Sequence, residues 1–160
     1  MKLPLLSAVF CLLAGGLVAA AAGDLVLDPK IVSDTISLSA SEGGEQILSI
    51  DAGKSFAGFR YIVAGSSSGV FPGTMMDSVR VPLNYDSYSE MMLTAIDRPG
   101  YGGCRGHLDA TGKAQARLSM PAGQAPSLIG TIYYHAAVLI DPKTNRVVST
   151  TNAVEVLLLP

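Results

Sequence analysis

Apolar residues along most of this chain come in short runs that alternate with polar ones and stop at Gly, Pro, Asp, Asn or Ser. That period of two is the mark of strands with one face in a core and one in solvent. Ile36, Leu38 and Ala40 alternate with Ser37 and Ser39, which predicts a strand with one wet face. A second run, residues 46–50, follows the Gly43-Gly44 turn. Residues 59–64 are apolar on both faces except for Arg60, and residues 131–140 are apolar on both faces as well, so both predict strands in the interior of a sheet. Ala114, Ala116, Leu118 and Met120 fall on one side of a further strand, and Gln115, Arg117 and Ser119 on the other. Residues 146–150 and 154–159 supply the last two runs.

Turn chemistry joins these runs into hairpins. Asp109 at a turn start and Gly112 at a left-handed position predict a reversal at residues 108–112. Pro142 presets the first turn dihedral at residues 141–145, and Asn145 tolerates positive φ. One segment reads two ways. Ser87 and Glu90 have capping-box spacing, with Met91, Met92 and Ile96 at helical intervals, yet Tyr85 and Tyr88 raise the strand expectation. The expectation there is a strand, or a single helical turn leading into one. The fold class predicted is all-β: a single sandwich of about seven to nine strands, immunoglobulin-like or jelly-roll.

The N-terminus breaks the pattern. Met1-Lys2, a nearly apolar run from Leu5 to Leu13 and the small residues Ala20-Ala21-Ala22 compose a secretory signal over residues 1–22, the apolar run being too short to span a bilayer. Phe10 and Ala8 stand where a lipidation motif at Cys11 needs a small residue and a leucine. The expected organisation is therefore a signal at 1–22, a lead-in at 23–35 and the sandwich at 36–160, about 138 residues after cleavage, enough for one core. The expected address is across the inner membrane, in the periplasm, at the cell surface or outside, with no membrane span in the mature protein. Cys104 then stands alone in an exported chain, as a thiol, an intermolecular bridge or a small buried hydrophobe, the last being favoured. Without Lys2 the basic residues fall from 11 to 10 against 13 acidic, a net charge near −3 with no cluster of either sign. Nucleic acid and anionic membrane surfaces need a basic footprint and drop out as partners.

Candidate chemistry is thin. Gly65-Ser66-Ser67-Ser68-Gly69 fits the G-x-S-x-G pattern with Ser67 central. A nucleophile elbow requires a helix next, and Val70-Phe71-Pro72-Gly73 opposes one, so a serine-glycine loop is expected. His107 and His135 could pair with an aspartate to activate a serine, but two histidines read more simply as structural. Asp51, Asp77, Asp86, Asp97, Asp109 and Asp141 are scattered, and no stretch packs acids at alternate positions as a calcium loop does. Residues 99–106, PGYGGCRG, form a glycine-rich loop with Tyr101, Cys104 and Arg105 that matches no phosphate-binding pattern. No catalytic residue, metal ligand or cofactor is assigned.

A chain-wide resemblance comes from Leu38-Ser39-Ala40 through Gly43-Gly44, Tyr61-Ile62-Val63-Ala64-Gly65-Ser66 ending in Ser68-Gly69, Pro72-Gly73, and Val81-Pro82-Leu83-Asn84 with Asp86 and Tyr88. Leu108-Asp109 with Gly112, Leu128-Ile129-Gly130-Thr131, His135-Ala136 and Asn152-Ala153-Val154 through Leu159-Pro160 extend it over residues 36–160. On these the chain resembles a family of uncharacterised exported bacterial β-domain proteins, departing from it at residues 100–105, where the family shows Asn/Pro-rich text. The resemblance implies export and a sandwich fold, and no activity. The expected function is a non-enzymatic exported module that binds or assembles with another envelope or extracellular protein, with edge strands available for pairing. The alternative is a carbohydrate- or calcium-binding accessory domain using Tyr85, Tyr88, Tyr101, Tyr133, Tyr134 and the loop aspartates. A small hydrolase built on Ser67 or Cys104 is the third class.

Overall fold

The computed structural model describes residues 28–123 and 126–160. The signal expected at residues 1–22, with Cys11, lies outside the described residues.

Two sheets face each other. The first has four strands in the order β1 (Lys30–Ser33), β3 (Gly44–Asp51), β9 (Lys113–Met120), β7 (Tyr101–Gly102). The second runs β2 (Ser37–Ser39), β12 (Val154–Leu159), β10 (Ile132–Ile140), β4 (Arg60–Ser66), β8 (Arg105–His107), with β11 (Val147–Thr150) also on β10. A hairpin of β5 (Thr74–Met76) and β6 (Val79–Val81) stands apart. The fold is thus all-β, as the alternation predicts, with one α-helix among the described residues, α1 (Ser87–Ala95).

The two strands read as interior are interior for a visible reason. On β10, His135, Ala137 and Leu139 face the space between the sheets, while Ala136 and Val138 face outward under Val81 and Leu83 of the hairpin region. Both faces are therefore covered, and His135 is the one buried polar residue of the strand. Strand β4 lies beside β10 in continuous register from Tyr134–Ser66 to Ile140–Arg60. The main core gathers Ile31, Leu48, Ile50, Val63, Met92, Ala116, Leu118 and Leu139 from both sheets and the helix. Each of these side chains larger than Ala116, when fully buried, is worth about 1.5–3 kcal/mol.

The chain crosses between the sheets repeatedly, and two of these crossings are very short corners. Residues 103–104 carry it from β7 in one sheet to β8 in the other. Residues 34–36 do the same between β1 and β2. β1 falls inside residues 23–35, the stretch expected as lead-in, and pairs along its whole length with β3. Asn152 fastens this corner. Its Nδ2 donates to the Ile31 carbonyl at 3.1 Å and its Oδ1 accepts from the Ile31 N–H at 3.0 Å, so a side chain supplies the bonds a neighbouring strand would make. Asn152 sits where the chain leaves β10 between β11 and β12.

The strand expectation for residues 87–97 is overturned. Residues 87–95 form two and a half turns of helix, because the N-terminus is capped one residue earlier than the Ser87–Glu90 spacing suggested. Asp86 accepts from the Ser89 N–H at 3.0 Å, and the Ser89 hydroxyl accepts from the Asp86 N–H at 3.1 Å, a reciprocal box with serine in the usual glutamate place. Tertiary packing then decides against the tyrosines' strand preference: Met92 and Ala95 are buried together, and a strand would put residues three apart on opposite faces.

Candidate functional site

The serine-glycine loop is tied to the start of α1 by Asp86. After Ser66 the chain continues without a helix, so the elbow geometry is not formed. Instead Asp86 Oδ2 accepts from the backbone N–H groups of Ser67 and Ser68, both at 2.8 Å, and from the Ser68 hydroxyl at 2.7 Å. Partial burial pushes the Asp86 carboxyl up, but these donors, with Ser89 and Ser66, outweigh it and hold the group well below the usual carboxylate range. One carboxylate therefore caps α1 and closes the loop.

His135 makes its bond elsewhere. Its Nε2 lies 2.9 Å from the Tyr88 hydroxyl. The ring is completely buried, and burial pushes its pKa down to about 3, so it is neutral at physiological pH. Tyr88 reaches it because Gly65, the residue paired with His135 across β4 and β10, has no side chain. A Cβ there would lie 2.4 Å from Tyr88 Cε1 and 3.1 Å from Met92 Cγ. His107 is exposed at the end of β8. Serine, histidine and aspartate are thus not assembled as a nucleophilic triad.

The remaining candidates have structural partners. Cys104 is fully buried at the corner, its Sγ within 3.8 Å of the Arg117 carbonyl, and burial pushes the thiol up to about 11. Asp51 pairs with Lys113 at 2.8 Å, Asp97 with Arg105, and Asp77 accepts from the Val147 N–H at 2.7 Å. Asp109 and Asp141 brace the two expected turns through the N–H groups of Thr111 and Lys143. Among the described residues no three His, Cys, Asp or Glu side chains converge as metal ligands would, and no helix is long and apolar enough to cross a membrane.

Sequence reading missed two concave features. The first is a cavity of about 600 Å³ between the sheets, lined by Leu118, Met120 and Leu158 and by Tyr88, Tyr101 and Tyr133. Three of the five tyrosines weighed as a sugar platform are therefore inside the sandwich wall, with Tyr88 and Tyr133 ring centroids 4.5 Å apart at 43°. Gln46 and His135 share this lining. The only advance signal was Gln46 standing among the apolar residues of its strand. The second feature is an open groove at the corner between β1 and β2, lined by Val32, Ile36, Val70 and Tyr134 among others. Val32 is 62% exposed, Ile36 75% and Val70 41%, and the adjacent Phe71 is 82% exposed.

No family model and no curated protein matches the sequence. Among solved structures the chain has a partial likeness to the E. coli chaperone DraB, at 11% identity and a TM-score of 0.45, covering 83% of this chain and 55% of that one. A second likeness is to a structure of a chaperone-tip adhesin complex in CFA/I fimbriae biogenesis, at 14% identity and a TM-score of 0.42, covering 82% and 58%. The chain thus spans little more than half the length of either. Likeness of that degree carries no function across.

Proposed function

We propose that this protein is an exported, non-enzymatic β-sandwich module that assembles with another protein at the cell envelope or outside the cell. The observation that carries the reading is the apolar groove at the β1–β2 corner. Val32, Ile36 and Val70 line one groove while largely solvated, and Phe71 follows Val70 in the chain. Apolar side chains left in solvent along one groove are what a partner's apolar surface would cover. Export rests on the composition of residues 1–22, and family membership on the sequence resemblance alone.

Side chains rather than open backbone make the contact. The outer strands β1, β2, β7 and β8 run only two to four residues, and short edges are poor templates for adding a strand. The partner presents apolar side chains to the groove, as recognition interfaces do at their buried centres.

A photo-crosslinking residue at Ile36, and separately at Lys143 on the 141–145 turn, tests the reading in the producing cell. The expected result is a discrete adduct with one other protein from position 36, absent from position 143 and lost when Val32→Asp is added. Identical adducts from both positions, or an adduct that is only a second copy of this chain, would overturn it.

A further inference from the structure

We propose that a pocket beneath the β5–β6 hairpin is a binding site for a small uncharged hydrocarbon molecule of about the size of benzene. It shares no lining residue with the corner groove or with the cavity between the sheets, so the inference stands or falls independently of the assembly reading. Ile62 of β4, Val138 and Ile140 of β10 and Val147 of β11 line it from the second sheet, and Val81 and Leu83 from the hairpin side. Val81, Leu83 and Val138 are buried. Tyr85 and Leu93, 57% and 40% exposed, stand in the same lining and mark its solvent side. The volume is about 120 Å³, close to that of the apolar cavities, roughly 150 Å³, that take up benzene in other folds.

The lining sets the chemistry of the occupant. No Lys, Arg, His, Asp or Glu belongs to it, so an ion would lose its hydration there and gain no counter-charge. The polar side chains of the lining are already engaged. Thr74 Oγ1 donates to the Leu83 carbonyl at 2.8 Å, and Ser89 Oγ to the Gly65 carbonyl at 2.7 Å. Asn84 uses its whole amide on backbone: Oδ1 accepts from the Gly73 N–H at 3.0 Å, and Nδ2 donates to the carbonyls of Ser68 at 3.0 Å and Phe71 at 2.9 Å. The Tyr85 hydroxyl lies 3.3 Å from Glu90 Oε1, on the solvent side. A water inside would need about two to four polar partners that these walls do not present, and a polar ligand group fares no better. Some of the same bonds keep the pocket open. Thr74 and Asn84 fix the base of the hairpin, and Asp77 Oδ2, accepting from the Val147 N–H at 2.7 Å, pins its tip to β11. Held at both ends by directional bonds, the hairpin does not settle onto the small residues Ala64 and Gly65 of the same lining.

Titration of the purified protein with benzene, followed by methyl-selective NMR, tests this. Pyrazine is the comparator: it has the same ring size but a nitrogen acceptor at each end, one of which must enter the pocket unpaired. Benzene is expected to shift the methyl resonances of Val81, Leu83 and Val138 in a saturable manner, and pyrazine to bind at least about tenfold more weakly. Ala64→Val and Ala64→Ile, which add one and two carbons beyond valine's own branch point to the lining, are expected to weaken benzene binding stepwise; the smaller change keeps the test open if the larger one disturbs the fold. Methyl resonances that stay still at saturating benzene, in protein with a native melting transition, would overturn the proposal. Pyrazine binding as tightly as benzene would overturn the hydrocarbon assignment. Benzene shifts left unchanged in the folded Ala64 variants would place the ring elsewhere and overturn the site.

Discussion

His135 and Tyr88 form a buried pair whose stability depends on an imidazole that stays neutral. In the unfolded chain that imidazole titrates near its ordinary value of about 6.5, whereas burial in the fold pushes it down to about 3. Between these values the unfolded chain binds a proton that the folded protein excludes. The stability is therefore whole above about pH 6.5 and falls as pH drops toward the folded value. Urea unfolding is expected to show a loss of about 2 kcal/mol between pH 7 and pH 5. His135→Phe should flatten that slope; a wild-type curve already flat over the range would refute the assignment. The sequence showed a histidine in an apolar strand but not what it touches. Its partner lies 47 residues away and reaches it only over Gly65.

At the scale of elements, helix α1 and the serine-glycine loop are one unit joined by Asp86. Asp86→Ala removes the helix cap and strips the acceptor from two backbone N–H groups and a serine hydroxyl. The expected cost is about 2–3 kcal/mol, with faster hydrogen exchange at the Ser67 and Ser68 amides and at the first turn of α1. An effect confined to the helix would show that the loop holds itself. Because the folded carboxyl sits below its usual range, its contribution is complete above about pH 4 and is lost as pH falls further. The pattern D-x-x-S was present at residues 86–89. Ser87 and Glu90 mask it by offering the commoner form of the same box one position later.

For the whole molecule, the two corners decide what solvent reaches. Cys104 is fully buried where the chain passes from β7 to β8, against β9. Its thiol is unreactive both because it is covered and because burial pushes it up to about 11. Labelling by a disulfide reagent at pH 8 is expected to be at least about a thousandfold slower in buffer than in urea, its rate tracking opening of the fold. Rapid labelling in buffer, or a reducible dimer of the native protein, would contradict this burial. The opposite corner, held by Asn152 on Ile31, leaves Val32 and Ile36 in solvent and so creates the groove assigned to a partner.

The sequence by itself determined the β architecture. Alternation over residues 113–120 gives one buried face because a strand's side chains alternate by geometry. The reversals at 109–112 and 141–145 depend on residues acting on their own backbone: Gly112 has φ of 80° and Asn145 of 56°. The run of β10, apolar on both faces apart from His135, likewise announced a strand covered on both sides. Tertiary structure alone decided the helix against the tyrosines' strand preference, the use of Asp86 as a shared acceptor and the pairing of Tyr88 with His135. It also decided the space left between the sheets. Each of these depends on groups distant in the chain meeting at a set separation, and local period and turn chemistry carry no information about that distance.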